Sequence, residues 1–584
     1  MSPPLRIALI GHSSVDEDFT YAFGLYRIQA YLLSLEGVRE AGHRVEILDR
    51  KVTSDEAEDL ELVLATQADI VGLSAYLWNL PRVVRLVSAL RARRPELLIV
   101  VGGPSSKGYE DLAVDDSRPD FLVVGPGEQT FANIVERFAA GTLDAHIPEL
   151  GNLLSYRGVE PGEPPTTHTP TTRPKSLDFL PSPYLMGLVE VDTKTLYVET
   201  DRGCPYSCAF CVESTAPNKV AEFSMDRVEA ELRWALARDF EHIEMCSAIF
   251  NRDTAWMEQF IELVERLDPD KTLSFSAALY STYINERQAA LLARLNLRSA
   301  LFGLNSVNSE TFKSVRRVVR LERFKQRMEL LKEVLRPEVS LIMGLPGDTP
   351  AGFAKTLDYV ATLDVNVMVF RFMVLPATIY YEQRERYQLE IDFANDNRIL
   401  STHSYSAEDF AQMEAIAEAA GYVQVNPGQW SKRRDEGFVA PKMDQRTWNF
   451  LYLSLREIGL DSLALPASWR FDKVVLELRS HVQLVFLDND NDSDSPGAER
   501  PSGLDVFVSI RDDDSPRFSH SRYFNVAYRE HERRSADEDA SAKARRSEGY
   551  RPLLEQITAA LAAAERSVLT RRKRGGAGSA KASP

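Results

Sequence analysis

Over its first 140 residues the chain alternates short runs rich in β-branched residues with stretches whose apolar positions repeat at helical spacing, the pattern of a parallel sheet covered by helices. Runs at Leu5–Ile10, Arg44–Leu48, Asp69–Ser74, Leu97–Val101 and Asp120–Val124 predict five strands. Ile28, Leu32, Leu35 and Val38 mark one face of a helix over Leu25–Ala41, and Pro81–Arg94 opens with proline in a helical first turn. Each crossover has about the length a helix needs. Gly102, Gly103, Gly125 and Gly127 follow predicted strand ends, the edge at which open α/β sheets bind ligands, so a cofactor is expected there.

From Val159 to Tyr184 the chain carries seven prolines, a density that opposes both helix and sheet pairing, and a linker over 151–190 is expected to follow the first unit at 1–150. The alternation resumes in TLYVET, HIEMCSAIFN, TLSFSAALY, SALFGLNS, EVSLIMGLPGDT and VNVMVFRFMVLP, which predict a second, larger parallel α/β unit over 191–404. Beyond 405 a helical stretch (SAEDFAQMEAIAEAAG), an aromatic segment at Trp448–Leu455 and two strand-like runs (HVQLVFLD, LDVFVSIRDD) give a smaller α+β region to about 550. Between those runs lies an acidic, breaker-rich loop, and 551–584 reads as a helix followed by a disordered basic tail.

A length of 584 residues allows about three to five domains. With 44% apolar and 27% charged residues the chain has material for several buried cores. Its 69 Lys and Arg against 86 Asp and Glu leave a net charge of −17, a field that repels phosphate backbones and anionic headgroups, so nucleic acid is disfavoured as a partner. No apolar run is long enough to span a membrane, and the opening MSPPLRIALIGH lacks the layout of a signal peptide, so the expectation is a cytoplasmic protein without a membrane partner.

Only four cysteines occur, and three of them, Cys204, Cys208 and Cys211, fall in one loop (CPYSCAFC) directly after a predicted strand. Three thiolates at C-x3-C-x2-C spacing can hold three irons of a cubane cluster and leave the fourth open to an outside ligand. Zinc is the competing reading, but it closes tetrahedrally with four ligands in paired units and no second pair exists. Cys246, alone in a strand-like run, reads as a buried packing residue, with a redox or cluster-related role as the alternative. GLPGDT at Gly344–Thr349 could be taken for a phosphate loop, but no G-K-[ST] follows it.

TLYVETDRGCPYSCAFC resembles the signature of the radical S-adenosylmethionine superfamily. The resemblance implies a 4Fe-4S cluster on Cys204, Cys208 and Cys211 whose open iron is chelated by S-adenosylmethionine, with Phe210 near the adenine. GLNS at Gly303–Ser306, GLPGDT and VLPAT at Val374–Thr378 resemble strand ends of the subgroup that carries an N-terminal cobalamin domain. Gly344 and Pro346 are then expected to let the adenine approach the backbone. IEMCSAIFN resembles that subgroup's second-strand motif, with Ser247 where an acidic residue often grips the amino-acid part of the cofactor. The first unit resembles the subgroup's Rossmann-like cobalamin domain, on Ser74, on Gly102 and Gly103, and on Gly125 and Glu128 of GPGEQTF. The D-x-H-x-x-G element that supplies an axial histidine is missing. His12 is read as an ordinary loop histidine, and Trp78 is the residue expected near the lower face of the corrin.

The fold implied is α/β: a Rossmann-like cobalamin domain, a partial (β/α)6 radical barrel and a smaller α+β C-terminal region. The implied activity is a cobalamin-dependent methyltransferase that C-methylates a natural-product precursor or peptide, using methylcobalamin and a 5′-deoxyadenosyl radical. A rearrangement or cyclisation without methyl transfer is the enzymatic alternative, and an iron–sulfur electron carrier the non-enzymatic one. Expected partners are a small-molecule or peptide substrate and a flavodoxin- or ferredoxin-like reductant. The cysteine count leaves none for a second cluster and argues against methylthiotransferases, which resemble this architecture but carry extra cysteines.

Overall fold

The computed structural model describes residues 3–432, apart from 14–20, 114–116, 161, 169–175, 192, 216–219, 239, 318, 333, 336, 396 and 427–428, and beyond them five strands between 450 and 525. It divides into two compact units, Met1–Arg434 and Asp435–Pro584.

All five strands expected in the first 140 residues form: β1 (Arg6–Ser13), β2 (Arg44–Lys51), β3 (Ile70–Ser74), β4 (Leu98–Gly102) and β5 (Phe121–Val123). They run parallel in the order β2-β1-β3-β4-β5, with Ile7 beside Ile70 and Ile70 beside Leu98. β1 and β3 are buried on both faces, as strands covered by helices must be. One core lies beneath the helix Leu80–Arg93, which has proline in its first turn, and the other beneath the helices Phe23–Ser34 and Glu128–Ala139. Two expectations are corrected. The helix over Leu25–Ala41 is broken at Leu35, whose backbone is extended (φ −74, ψ 129). The β4–β5 crossover holds a 3-10 turn, Ser106–Asp111, where a helix was expected; its segment SSKGYEDLA lacks an apolar stripe at helical spacing.

The proline-rich stretch also departs from its reading as an unpaired linker. β6 (Leu153–Ser155) and β7 (Thr166–His168) extend the first sheet antiparallel beyond β5. The strands have three residues each and sit between the prolines, and β7 is the sheet's edge, where proline costs no ladder bond.

The second sheet holds the six expected parallel strands: β8 (Thr195–Val198), then, beyond a short ribbon of β9 (Asp201–Arg202) and β10 (Ala221–Glu222), β11 (His242–Met245), β12 (Ser274–Leu279), β13 (Leu297–Asn305), β14 (Glu338–Met343) and β15 (Asn366–Arg371). Helices cross between them, and the largest core packs on these strands. A small hairpin follows, β16 (Glu390–Asp392) with β17 (Arg398–Ser401).

The expected boundary at 404/405 does not divide the structure. The helix Ala407–Ala419, opened by a reciprocal cap between Ser406 and Asp409, buries Phe410 and Met413 in the barrel core. After it, β18 (Val423–Asn426) and β19 (Gln429–Lys432) add antiparallel to β15. Apolar residues facing an open barrel edge explain why this segment belongs with what precedes it.

The second unit is a five-stranded sheet in sequence order: β20 (Phe450–Ser454) and β21 (Lys473–Glu477) are parallel, and β22 (Gln483–Asn489), β23 (Leu504–Arg511) and β24 (Phe518–Asn525) continue antiparallel. Both strand-like runs read from the sequence are β22 and β23. Most of the acidic loop between them, and 551–584, lie outside the described residues.

Candidate cofactor and cluster site

β8 feeds the cysteine loop through Asp201, Arg202 and Gly203, and Gly203 has φ +98, a left-handed conformation that glycine adopts without strain. All three cysteines are free and half-buried. Backbone bonds pin the loop on two sides: Ala209 N–H donates to Val315 O at 3.1 Å, and Tyr380 N–H donates to Ala209 O at 3.1 Å. Tyr206 stacks on Tyr280 with ring centroids 4.4 Å apart and shares a 2.9 Å hydroxyl bond with Tyr283. Phe210 packs half-buried against the barrel core. Burial pushes the Cys211 thiol up to about 11 and raises Cys204 and Cys208 as well, while the Arg317 cation opposes that rise at the latter two.

Among the described residues no three His, Cys, Asp or Glu side chains converge at single-ion spacing. Cubane ligands bind three different irons and stand further apart than the ligands of one ion. Three thiols on one pinned loop, with no imidazole or carboxylate among them, are a donor set that fits an iron–sulfur cluster.

Beside this loop Ser247, buried at the end of β11, donates its hydroxyl to Asp201 Oδ2 at 2.7 Å, and Thr200 does so at 3.2 Å. Burial pushes Asp201 up to about 6, and among the described residues it makes no ion pair. A carboxylate therefore stands next to the serine, brought by the neighbouring strand.

Gly344 has φ +85, and a Cβ there would lie 2.7 Å from Phe410 and 2.9 Å from the Tyr405 hydroxyl, so the packing of the helix after β17 itself requires a glycine at this strand end. Pro346 is buried, and its carbonyl accepts from Ser314 at 2.5 Å.

In the first sheet Ser74, Gly102 and Gly103 sit at the carboxyl ends of β3 and β4, and Gly125 lies just beyond β5. A Cβ on Gly125 would meet nothing within 4 Å, which leaves the backbone open to a ligand, whereas Gly103 lies 2.6 Å, Cβ to oxygen, from the Ala75 carbonyl. Trp78 stacks on Tyr76 at 4.4 Å and donates its indole N–H to His12 O at 2.9 Å. His12 lies on β1 itself and is buried. Its Nε2 is 2.7 Å from Asp59, and Arg82 and Arg50 bind the same carboxylate, so the ring is committed inside the sheet. Cys246 contradicts its reading as a buried packing residue. Solvent reaches it, yet its surroundings are desolvating enough to raise the thiol far above its usual range. The charges and rings of Glu199, Arg27, Tyr21 and Tyr76 act on it or feel it, which puts it between the two sheets.

The sheets are joined by an alternating charge chain. Glu128, expected to touch the cofactor, instead pairs with Arg202 at 2.6 Å; Arg202 also pairs with Glu199, and Glu199 with Arg27 at 2.6 Å. A second junction joins the Ser106–Asp111 turn to the segment after β15, through Lys107 with Glu382, Tyr381 with Asp111, and Gly108 against Pro376. The carboxyl ends of both parallel sheets are thereby held toward a shared space.

Residues 33–135 match the model of the B12 binding domain, and residues 198–360 that of the radical SAM superfamily. The chain thus combines a region like the B12 binding domain with one like the radical SAM superfamily. It is 26% identical over 334 residues to the 2-(S-pantetheinyl)-carbapenam-3-carboxylate methyltransferase of Streptantibioticus cattleyicolor, covering 53% of this chain and 48% of that protein. The cobalamin-dependent radical SAM methyltransferase TokK of Streptomyces tokunonensis is 26% identical over 309 residues, 49% of this chain and 44% of that one. The chain thus spans about half the length of the curated relatives it matches. Among solved structures, the radical S-adenosylmethionine methyltransferase TsrM of Kitasatospora setae, with tryptophan substrate and a SAM analogue bound, superposes with a TM-score of 0.53 over 66% of this chain and 77% of that chain, at 16% identity. That likeness is one of fold.

Several residues beside the cysteine loop escaped sequence reasoning. Arg202 precedes the glycine of the signature, and its place there was the available signal. Asp201, beside Arg202, lies in the same signature, whereas Tyr280 and Arg317 come from two other elements and nothing local marks them.

Proposed function

We propose that this protein is a methyltransferase that places a methyl group on an unactivated carbon of a natural-product precursor or peptide. The observation that carries the reading is the juxtaposition of the two carboxyl edges within one unit: Tyr76, Trp78 and the Gly125 backbone on one side, the cysteine loop on the other, tied by Glu128 and Arg202. Both curated relatives described above are named as methyltransferases. When bound, cobalamin supplies a methyl carrier, and the cluster with S-adenosylmethionine supplies a hydrogen-abstracting radical, the pair needed for a carbon with no nucleophilic electrons.

In this reading Cys204, Cys208 and Cys211 hold the cluster, and Phe210 lies against the adenine. Asp201, oriented by Ser247, accepts the ammonium of the cofactor's amino-acid part, the task an acidic residue at 247 would have had. Ser74, Gly102 and Gly125 would let a corrin approach the backbone, with the Tyr76–Trp78 stack beside it and Gly103 packing the loop against Ala75. His12, committed to Asp59, would not be the residue that holds the cobalt. Tyr206, Tyr280 and Tyr283 close the barrel mouth against water. A flavodoxin- or ferredoxin-like protein delivers the electrons.

Product stoichiometry tests the proposal. Each methylated product should appear with one S-adenosylhomocysteine and one 5′-deoxyadenosine, counted by liquid chromatography. 5′-Deoxyadenosine without S-adenosylhomocysteine would replace this reading with rearrangement or cyclisation.

A further inference from the structure

We propose that Arg317 sets the reduction potential of the cluster, acting as a positioned cation beside the Cys208 thiolate. The inference rests on the assignment of the three cysteines as cluster ligands.

Arg317 follows the helix Ser309–Val315 and reaches back over the barrel mouth. Its Nη2 donates to Gly303 O at 2.5 Å, and its guanidinium carbon stands 4.7 Å from the centroid of Tyr280, the ring on which Tyr206 of the cysteine loop stacks. From that place its charge opposes the rise that burial gives the Cys208 and Cys204 thiols. A Cβ on Gly303 would stand 3.3 Å from Nη1, so the glycine of GLNS is what lets the guanidinium settle there. Nε is buried with no hydrogen-bond partner among the described residues. No carboxylate is ion-paired with Arg317 among the described residues, so its charge is not spent within the protein. This is a cation desolvated on one side, fixed by a carbonyl and a ring, and turned toward sulfur.

Three thiolates and a cubane in its resting state carry net negative charge, and one-electron reduction by a flavodoxin- or ferredoxin-like donor adds another. A fixed cation against a ligating sulfur stabilises the more negative state and shifts the equilibrium toward reduction. The planar fork that binds Gly303 O while stacking on Tyr280 is beyond a lysine, which would keep only the charge. Arg317 is a positioning residue in this role, since it acts through the cysteine.

The test uses the full chain with its cluster reconstituted, and S-adenosylmethionine left out so that only the protein's own charges act. Spectroelectrochemical titration should show the Arg317→Gln cluster reduced about tenfold less at a fixed solution potential, a downward shift of about 59 mV for one electron. Arg317→Lys should fall between Gln and wild type. Arg316→Gln, which removes an exposed cation one residue away, should leave the potential within error. Iron and sulfide content measured on the same samples separates the outcomes. A wild-type chain that takes up no cluster overturns both this inference and the assignment beneath it. A loaded Arg317→Gln or Arg317→Lys protein at wild-type potential overturns the inference alone. Weaker S-adenosylmethionine binding with an unchanged potential would likewise overturn it and make Arg317 a cofactor contact.

Discussion

The two parallel sheets of the first unit expose their carboxyl edges to the same space, but they build those edges in different ways. At the first sheet the edge is mostly backbone: Gly102, Gly103, Gly125 and a buried Ser74 beside one aromatic stack, with the Asp59–Arg82 ion pair and His12 sealed within the domain. At the second sheet it is mostly side chains, three thiols, three tyrosines, Arg317 and Asp201, brought from strands and loops far apart in sequence. A broad flat ligand is served by backbone that can be approached closely, and a small charged cluster by a few donors held rigidly. The largest effects should therefore come from side-chain loss at the barrel and from backbone or buried-charge damage at the first sheet.

Cys204→Ala, Cys208→Ala or Cys211→Ala should each abolish cluster assembly and product, measured as iron content and turnover, because each removes one of three protein ligands. Cys246→Ala should keep full iron loading, since it lies between the sheets and outside the loop. Full loading of Cys208→Ala would break the division of labour at its root.

At the first sheet Asp59→Ala leaves Arg82 and His12 buried without their shared partner and should cost about 3–5 kcal/mol of stability, read by denaturant titration. Burial alone would raise the Asp59 carboxyl, but bonds from Arg50, His12 and Arg82 outweigh it and hold it below its usual value. A depressed carboxylate contributes stability that is full above its unfolded value near 3.8 and is lost as pH falls through the folded one. Burial holds His12 below 6.5, so the folded form resists its protonation and the domain also weakens as pH drops below that value. Below about pH 3.8 wild type should lose the Asp59 contribution, a loss the alanine variant cannot show.

Glycine substitutions separate backbone kept for packing from backbone kept for a ligand. Gly103→Ala combines φ +100 with a Cβ 2.6 Å from the Ala75 carbonyl and should cost about 2–4 kcal/mol, more than the strain of a left-handed alanine alone. Gly125→Ala, at φ +96 with nothing within 4 Å, should cost only about 1–2 kcal/mol and show its main effect as weaker cobalamin binding in an absorbance titration. Equal stability losses at the two positions would erase the distinction.

The same contrast governs what could be read from the sequence. Strands β1–β5 and the six barrel strands were legible because apolar periodicity and strand-end glycines are local, and the three cysteines because their spacing is. Strands β6 and β7 were hidden by the prolines flanking them, and the barrel's end was misplaced because β19 pairs with β15 from some 60 residues away and carries β18 with it. Ser74, Gly102, Gly103, Gly125 and Trp78 fall on the edge expected of them. Glu128 looked like a ligand contact because it follows two loop glycines, and only the fold reveals Arg202 across from it. Cys246 looked like packing, since a strand pattern cannot tell an interior wall from the wall of an internal space.

The smallest expected effect sharpens the comparison most, because it asks whether a buried barrel carboxylate with no ion pair among the described residues waits for a cation. Asp201 is pushed up to about 6 by burial, with Ser247 and Thr200 as partial compensation. A folded-state value above the unfolded 3.8 means its contribution to stability is present below about pH 4 and lost as pH rises through about 6. Asp201→Asn should remove that loss, leaving a protein at least as stable as wild type at pH 8. It should also weaken S-adenosylmethionine binding by about tenfold, about 1.4 kcal/mol, since a charge-assisted bond to the ammonium becomes a neutral one. The pH dependence decides between this role and a merely structural one. Wild-type affinity, measured by calorimetry on cluster-loaded protein, should strengthen as pH rises through about 6, where the free carboxyl ionises, and the Asn variant should be flat across the same range. Parallel slopes in the two proteins would remove Asp201 from the cofactor site and leave Ser247 an acidic position that this chain has lost without replacement.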